Sequence, residues 1–333
     1  MVKVVVDVMG GDNAPDAVVE GSALASKSGF ARGEQIILVG QEDVIRESLA
    51  KHGVDDLGFE VVHAADVVGS GESPVEALRR KPGSSIAIGV GLVKAGKADA
   101  FVSAGSTGVV TASASLVLGC LEGIRRPGIA IIVEGERGRF LVVDVGANPQ
   151  PKPLHLQQYA MMGAAYFRDS FGTEDPRVAL LNIGSEATKG NAFTREVATL
   201  LKSCPINFIG NIEGVDLFRG DCDVVVCDGF TGNVLLKVSE GLAEYMLRTM
   251  ARSITDVAGS EASRSVLSSL QPKLDYSAYG GALLLGAKGI VTICHGRSTA
   301  PAISNAIRFA IRAVGAKVNE HIVAMAREAS AAS

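Results

Sequence analysis

The chain has 333 residues, of which 47% are hydrophobic and 20% are charged, and its formal net charge is −4. Its length and composition predict a globular α/β protein with a large core. Acidic and basic residues are interspersed along the chain, which argues against a nucleic-acid partner, because binding to a phosphate backbone requires a basic surface.

The first third predicts an alternation of strands, glycine turns and helices. Its strands are apolar and β-branched, as strands buried on both faces are. They are expected at Val2–Val8, Gln35–Val39, Phe59–His63 and Ala100–Ser103. Helices are expected at Asp16–Ser28, Asp43–Lys51, Val75–Arg80 and Ser84–Ala95. The chain enters its first strand without a charged leader, which argues against a signal peptide.

The segment from Ala100 to Leu121 lacks charges over a length that could span a bilayer. It contains three Gly and six Ser or Thr residues. It therefore predicts a strand, a polar loop and a buried helix rather than a membrane span.

The middle of the chain predicts a β-hairpin. Ile129–Glu134 and Arg139–Asp144 are separated by only four residues, a spacing typical of a hairpin. Because a hairpin pairs antiparallel strands, we expect a mixed sheet.

The remaining chain repeats the alternation. Strands are expected at Arg177–Asn182, Asn207–Ile209, Asp223–Cys227, Ala282–Gly286 and Gly289–Cys294. Helices are expected at His155–Phe171, Ala192–Leu201, Val234–Val257, Ser260–Leu270 and Ala300–Ser330. Five Cys residues form no CxxC pair, a pattern typical of small buried side chains in a reducing compartment.

Seven short glycine-bearing motifs each follow a predicted strand. They are Asp7–Asp12, Ser103–Gly108, Asp144–Asn148, Asn182–Ser185, Gly210–Gly214, Asp228–Asn233 and His295–Ser298. Glycine allows a tight turn and a close approach of the backbone to a ligand. Where a helix follows the turn, its free N–H groups favour an anion. On a parallel-type sheet, these turns would form one polar rim that binds an anion.

The sequence argues against several common kinds of nucleotide, hydrolase and zinc site. Gly91–Lys97 resembles a phosphate-binding loop, but Ala98 stands where Ser or Thr is required. No glycine fingerprint follows a strand, and no Gly-x-Ser-x-Gly turn is present. No zinc pattern occurs. We therefore expect neither a cofactor nor a metal ion.

Four carboxylates lie at strand ends, and their role is open on the pattern alone. They are Asp7, Asp12, Asp144 and Asp228. They could hold Mg²⁺, or they could cap helices and hydrogen-bond the glycine turns. We favour the second, structural role.

Three further motifs carry candidate anion ligands. Lys189 lies in a polar loop before a helix, where it could neutralise a phosphate or remain a solvated surface side chain. The turn Gly105–Gly108, with Ser106 and Thr107, could cradle a phosphate or form an ordinary tight turn. Asn233 could donate to a developing oxyanion. The remaining candidate anion ligands are Asn148, His295, Arg297 and Ser298.

Taken together, these motifs resemble those of the bacterial PlsX family of phosphate acyltransferases, over essentially the full length. The resemblance rests on eight motifs: Asp7–Pro15, Ser103–Gly108, Asp144–Asn148, Leu181–Asn191, Gly210–Gly214, Cys227–Asn233, Tyr279–Gly286 and His295–Ser298. The family more often has Asn at Ser106, Pro at Leu283 and Ser at Arg297. No proposed catalytic group is among these departures.

The resemblance implies a fold similar to that of isocitrate and isopropylmalate dehydrogenases: a three-layer α/β/α sandwich with a mixed sheet. It implies a single two-lobed domain over residues 1–333, with the active cleft between the lobes and a projecting helical arm at 234–271. Its chemistry is transfer of an acyl group from acyl-acyl carrier protein to inorganic phosphate. The matching positions for the catalytic Lys and Asn are Lys189 and Asn233.

The resemblance also implies a homodimer formed through the helical arm. Val266, Leu267 and Leu270 form an apolar stripe flanked by Arg264 and Lys273, which favours either packing in the dimer or weak docking on a membrane. We expect a cytoplasmic protein that associates peripherally with the inner face of the plasma membrane. Its product would pass to a membrane glycerol-3-phosphate acyltransferase.

Three alternative functions remain open at this stage. A phosphotransacetylase would differ only in using a CoA carrier. A metal- and NAD-dependent decarboxylating dehydrogenase could share the fold, although the sequence shows no cluster of Arg residues for a dicarboxylate. A non-catalytic scaffold would need none of the seven turns.

Overall fold

In the computed structural model, which describes residues 1–69, 71–274 and 280–331, one sheet of eleven strands runs through the molecule. Its spatial order is β3-β2-β1-β4-β11-β10-β5-β6-β9-β7-β8. The strands are β1 Val4–Asp7, β2 Ile36–Gly40, β3 Glu60–His63, β4 Ala100–Ser103, β5 Gly128–Gly135, β6 Gly138–Val143, β7 Arg177–Asn182, β8 Asn207–Glu213, β9 Val224–Val226, β10 Ala282–Leu285 and β11 Ile290–Ile293.

Ten α-helices cover this sheet within the described residues. They are α1 Asp16–Lys27, α2 Glu42–His52, α3 Pro74–Arg80, α4 Ser85–Lys94, α5 Thr107–Ser113, α6 Pro153–Phe171, α7 Ala192–Lys202, α8 Gly229–Leu274, α9 Ala300–Gly315 and α10 Val318–Ala331. Residues 114–118 extend α5 as a π-helical turn. The single helix expected at Ala300–Ser330 is wrong: Lys317 has a φ of 55°, and this left-handed backbone separates α9 from α10.

The predicted three-layer sandwich is confirmed, with one apolar core on each face of the sheet. Successive side chains of a strand point to opposite faces, so Val4 and Val6 join one core while Val5 joins the other. The Val4 side packs against α1, α6 and α9, and the Val5 side against α4 and α5. Burial on both faces explains why central strands such as β1 and β9 are wholly or almost wholly apolar, whereas the edge strands β3 and β8 are partly exposed and carry polar residues.

The predicted mixed sheet is also confirmed. β5 and β6 pair antiparallel as a hairpin, with residues 136 and 137 between the strands instead of the four expected. Strands β3, β2, β1, β4 and β11 form one parallel set. Strands β6, β9, β7 and β8 form a second parallel set.

The two parallel sets run in opposite directions, because β10 and β5 each pair antiparallel between them. The expectation of one rim carrying all seven glycine turns is therefore wrong. The turns after β1, β4 and β11 belong to one edge, whereas those after β6, β7, β8 and β9 belong to the other. The two groups meet at the central strands, where the registers bring the last residues of β4 and β11 within one residue of the last residue of β6.

The helical arm consists of two segments of α8 that meet at Gly259, where φ is 85°. This positive φ breaks the helix and favours glycine. The second segment folds back on the first, since the Ser263 hydroxyl donates a hydrogen bond of 3.1 Å to the Ala251 carbonyl. The first segment begins at Gly229, five residues before the predicted start. Of the family motif Tyr279–Gly286, Tyr279 lies outside the described residues, as does the side chain of Lys273.

None of the described helices combines the length and apolar character needed to cross a membrane. This includes the charge-free segment from Ala100 to Leu121, which forms β4, a turn and α5 with its π-helical extension.

Two glycines of α4 predict opposite effects on stability. A Cβ at Gly89 would overlap the buried Phe101 ring, whereas a Cβ at Gly91 meets nothing within 4 Å. Gly89→Ala should lower the free energy of unfolding by roughly 1–3 kcal/mol through overpacking. Gly91→Ala should raise it by about 0.5–1 kcal/mol, because alanine has the better helix propensity. Urea unfolding of both variants measures this, and changes of the same sign would contradict the packing described for α4.

Candidate functional site

The Asp144 carboxylate organises the turn after β6. Its Oδ1 accepts backbone N–H bonds from Ile129 at 3.0 Å, Gly146 at 3.0 Å and Ala147 at 2.8 Å. Its Oδ2 accepts the N–H of Asn148 at 2.7 Å. Burial raises the pKa of Asp144, while these four hydrogen bonds lower it. The carboxylate thus ties the turn to the start of the neighbouring strand β5.

Asp7 has a comparable place at the end of β1. Its Oδ1 accepts the N–H of Met9 at 3.1 Å, and its Oδ2 accepts the Ser103 hydroxyl at 2.7 Å. The Ser103 hydroxyl in turn accepts the N–H of Gly105 at 3.0 Å. Burial raises the pKa of Asp7. The turns after β1 and β4 are therefore held together by one buried hydrogen-bond chain.

The other two strand-end acids lie closer to solvent. Both oxygens of Asp228 bind Thr231, one through its N–H at 2.8 Å and one through its hydroxyl at 2.7 Å, which caps the start of α8. The Asp12 N–H donates to the Gly296 carbonyl at 2.7 Å, joining the turn after β1 to the turn after β11. Within the described ranges, no three His, Cys, Asp or Glu side chains are grouped so that they could hold a metal ion.

A pocket, here called the central pocket, lies where the two groups of turns meet. One group contributes Thr107, Gly108 and His295, and the other contributes Gly146 and Asn233. The rest of its wall is Ile129, Ile131, Val145, Leu236, Lys237, Ala282, Ile293, Cys294 and Gly296. Polar groups from both edges of the sheet therefore face each other above an apolar floor.

Two groups set the charge of this pocket. Lys237 lies one helical turn after Asn233, and its ammonium is 2.9 Å from the Glu240 carboxylate. The Nδ1 of His295 accepts the N–H of Arg297 at 3.1 Å. Burial, together with the nearby Lys237, lowers the pKa of His295. His295 is therefore a neutral imidazole at neutral pH, with Nε2 as its N–H donor.

Lys237 and Cys294 belong to the pocket, but the sequence did not indicate either. Lys237 could have been found from its i+4 spacing after Asn233, which places both on one face of a helix. Cys294 gave no such signal, because a buried Cys looks the same in any core. Burial raises the pKa of the Cys294 thiol to about 12, so the thiol is uncharged at neutral pH.

The remaining sequence candidates lie around the central pocket or away from it. Gly105 and Ser106 precede α5 and are half-buried. Arg297 is exposed, whereas Ser298 is buried and its hydroxyl has no partner among the described residues.

Asn148 does not line the pocket. Its amide donates to the Pro127 carbonyl at 2.7 Å and the Tyr159 hydroxyl at 2.6 Å, and thereby holds the Asp144 turn against α6.

Lys189 lies in the loop after β7, outside the wall of the central pocket. Its ammonium is half-exposed and 3.9 Å from the Glu186 carboxylate, and its carbonyl accepts the Asn182 amide at 3.4 Å. β7 pairs in parallel with β9, the strand that precedes α8. Lys189 and Asn233 therefore follow the ends of neighbouring strands, each seven residues beyond its strand.

Comparison with known proteins places this arrangement in a family. Residues 2–321 match the family described as fatty acid synthesis protein. A phosphate acyltransferase of Geotalea daltonii is 46% identical over 98% of this chain and 94% of its own length. One of Geobacter sulfurreducens is 47% identical over 96% of this chain and 93% of its own length.

Solved structures show the same fold at low identity. A phosphotransacetylase from Streptococcus pyogenes superposes with a TM-score of 0.65 at 19% identity, covering 94% of each chain. A putative 4-hydroxythreonine-4-phosphate dehydrogenase from Salmonella typhimurium gives 0.53 at 13% identity, covering 94% of this chain and 99% of its own.

The full-length match to the family and the identity to its curated members agree with the resemblance read from the glycine motifs. The chain belongs to the PlsX family of phosphate acyltransferases.

Proposed function

We propose that this enzyme transfers a fatty acyl group reversibly from acyl-acyl carrier protein to inorganic phosphate, giving an acyl phosphate for phospholipid synthesis. The observation that carries the proposal is the central pocket, where Asn233, His295 and Lys237 face the free start of α5 at Thr107 and Gly108. These groups are donors or cations suited to an anion. Family membership supports the same reaction.

In the proposed reaction, an oxygen of phosphate attacks the thioester carbon and the thiolate of the carrier leaves. The turn Gly105–Gly108 holds the phosphate, with His295 as a further donor. Phosphate must approach to roughly 3–3.5 Å of the carbon. Asn233 donates to the oxyanion that forms on the carbonyl oxygen, and Lys189 neutralises phosphate charge from the adjacent loop. Arg297 and Ser298 support the His295 turn.

No side chain of the central pocket is suited to act as a nucleophile. A thiolate is required for attack, and Cys294 is held as a neutral thiol by burial. Among the described residues, no side-chain base forms a hydrogen bond with the Thr107 hydroxyl, and Ser103 already donates its hydroxyl to Asp7. Direct attack by phosphate therefore fits these residues better than a covalent acyl-enzyme.

A CoA thioester is the second candidate substrate. The phosphotransacetylase fold of the Streptococcus pyogenes protein favours it, because that enzyme superposes over 94% of both chains. The two candidates share the phosphorolysis step and differ only in the carrier, so they are distinguished by the thioester supplied.

We also propose a homodimer formed through α8. Val238, Leu242 and Tyr245 are 61%, 56% and 67% exposed, and they lie on one side of the helix. A large exposed apolar patch usually marks an interface. The tip of the arm carries Val257, which is 88% exposed, and this residue supports weak docking on the inner membrane surface close to a membrane acyltransferase.

Incubating the protein with phosphate and palmitoyl-acyl carrier protein, and then with palmitoyl-CoA, tests the reaction directly. We expect mass spectrometry to detect palmitoyl phosphate and to find no acyl group on the intact enzyme during turnover. The absence of acyl phosphate with both thioesters would reject the proposed function. An acyl group trapped on any Ser or Cys would reject direct attack.

Lys189→Ala and Asn233→Ala should each lower kcat/KM at least about a hundredfold, equivalent to roughly 2.7 kcal/mol of transition-state stabilisation. Lys202→Ala removes the same charge from the exposed end of α7 and serves as the matched control. Circular dichroism should show an unchanged fold in all three. If both test variants kept more than about half of the wild-type rate, the roles assigned to Lys189 and Asn233 would be wrong.

Light scattering should find a dimer at micromolar concentration and a monomer for the double variant Val238→Glu/Tyr245→Glu, because charges do not tolerate burial in an apolar interface. Lys27→Glu, on the surface end of α1, is the control for added negative charge. A wild-type monomer under these conditions would contradict the proposed interface.

Flotation with anionic liposomes should recover part of the wild-type protein with the lipid, and less of Val257→Glu, because a charged side chain opposes insertion of the tip. Leu267→Glu should have a smaller effect, since Leu267 is half-buried within the arm. If the wild type and both variants stay in the soluble fraction, the membrane proposal fails.

A further inference from the structure

A second, apolar cavity lies beside the central pocket, between the β5–β6 hairpin and α8, and we call it the hairpin groove. Its floor is formed by side chains of the hairpin and its wall by one face of the helix. The lining residues are Ile131, Val133, Glu134, Phe140, Val142, Val145, Leu217, Phe218, Gly232, Leu235, Leu236, Ser239, Glu240, Leu242, Ala243 and Met246. Apart from Glu134, Glu240 and Ser239, every lining side chain is apolar or absent.

The hairpin groove adjoins the central pocket. Ile131, Val145 and Leu236 line both. Leu236 is three residues after Asn233, so on an α-helix the two lie within one turn of each other. A ligand with a polar head at Asn233 can therefore extend an apolar tail past Leu236 into the groove.

The face of α8 that lines the groove and its strongly exposed apolar face are adjacent, and Leu242 belongs to both. At about 100° per residue, Val238 and Tyr245 point roughly 140° or more away from Leu236 and Ala243. The face with Val238 and Tyr245 is the strongly exposed one. A second copy of the chain that packs on the exposed face would therefore cover Leu242 but leave the part of the groove between Leu236, Ala243 and the hairpin free for a ligand.

We propose that the hairpin groove binds the acyl chain of the thioester substrate, with its carbonyl carbon in the central pocket. This inference rests on the proposed function, because it assumes that the substrate is an acyl thioester and states where its acyl chain binds. Leu236 and Met246 are ten residues apart, or about 15 Å along the helix. At roughly 1.3 Å of length per carbon for a C–C bond of about 1.5 Å, this distance accommodates about 12 carbons. The occupant is thus a medium or long unbranched chain.

Ala243→Phe tests the groove by filling it halfway along its length. Turnover is measured with acyl-acyl carrier proteins of 4 to 16 carbons and with phosphate. In the wild type, kcat/KM should rise with chain length by up to about fourfold per added methylene, the factor expected for burying one CH₂. In Ala243→Phe, the ratio of kcat/KM for 16 carbons to that for 4 carbons should fall at least about thirtyfold.

Ala258→Phe is the matched control. It places the same side chain on an exposed site of the same helix, about 22 Å from Ala243. In this variant, the ratio of kcat/KM for 16 carbons to that for 4 carbons should equal the wild-type ratio. If the ratio is unchanged in Ala243→Phe while the enzyme remains active, or if the wild type shows no dependence on chain length, the groove does not hold the chain although the proposed function stands. Failure of the proposed function is distinguished by the lack of acyl phosphate at every chain length.

A palmitoyl probe with a photoreactive diazirine at the chain terminus provides a readout that does not depend on turnover. After irradiation and proteolysis, we expect labelled peptides from the hairpin at 131–142 and from α8 at 235–246, and weaker labelling in Ala243→Phe. Labelling confined to the outer face of α8 at Val238 and Tyr245, or to the other face of the sheet, would overturn the proposal.

Discussion

The hydrogen bonds of the buried Asp144 carboxylate are the constraint on which the site depends. Four backbone N–H groups converge on this carboxylate, three from its own turn and one from Ile129 at the start of β5. A buried carboxylate without such partners would cost several kcal/mol. The turn after β6 therefore has one stable arrangement, which places Gly146 at the pocket and lets the Asn148 carbonyl accept the N–H of Gly229 at the start of α8.

The reversal of strand direction in the middle of the sheet explains where the pocket forms. A sheet with a single direction collects its functional turns along one edge. Here β10 and β5 stand between two opposed parallel sets, so the turns from the two sets approach each other over a face of these central strands. The apolar floor of the central pocket consists of their side chains, including Ile129, Ile131 and Ala282. The polar groups from the two edges suit the anionic part of a substrate, and the apolar floor suits its acyl part.

The sequence predicted most of the fold because its elements carry local signals. Most strands contain a short apolar run, and glycine turns follow seven of them. The break at Lys317 was missed because a single Gly, here Gly315, is tolerated inside a helical pattern, and because the residue with left-handed backbone is a lysine. The direction of the second parallel set depends on pairings between distant segments, such as β6 with β9, and no local pattern records them.

For the site, the motifs indicated the residue types but not their distances. Asn233 and His295 reach the central pocket as the glycine turns suggested. Asn148 was a candidate anion ligand from the sequence, yet its amide binds Pro127 and Tyr159. Lys237 and Cys294 have no motif of their own, and only the packing of α8 over the sheet brings Lys237 to the pocket.

The uninterrupted first segment of α8 has a mechanical consequence. From Gly229 to Gly259 the helix spans about 45 Å, and Gly259 is its one residue with non-helical geometry. The amide of Asn233 is fixed to one end of this rod and the arm tip to the other. Any tilt of the arm imposed by a neighbouring molecule would act as a lever on the reacting end, with no hinge between them to absorb the rotation. A contact at the arm tip would therefore also change the position of Asn233 in the pocket, because both lie on one uninterrupted helix.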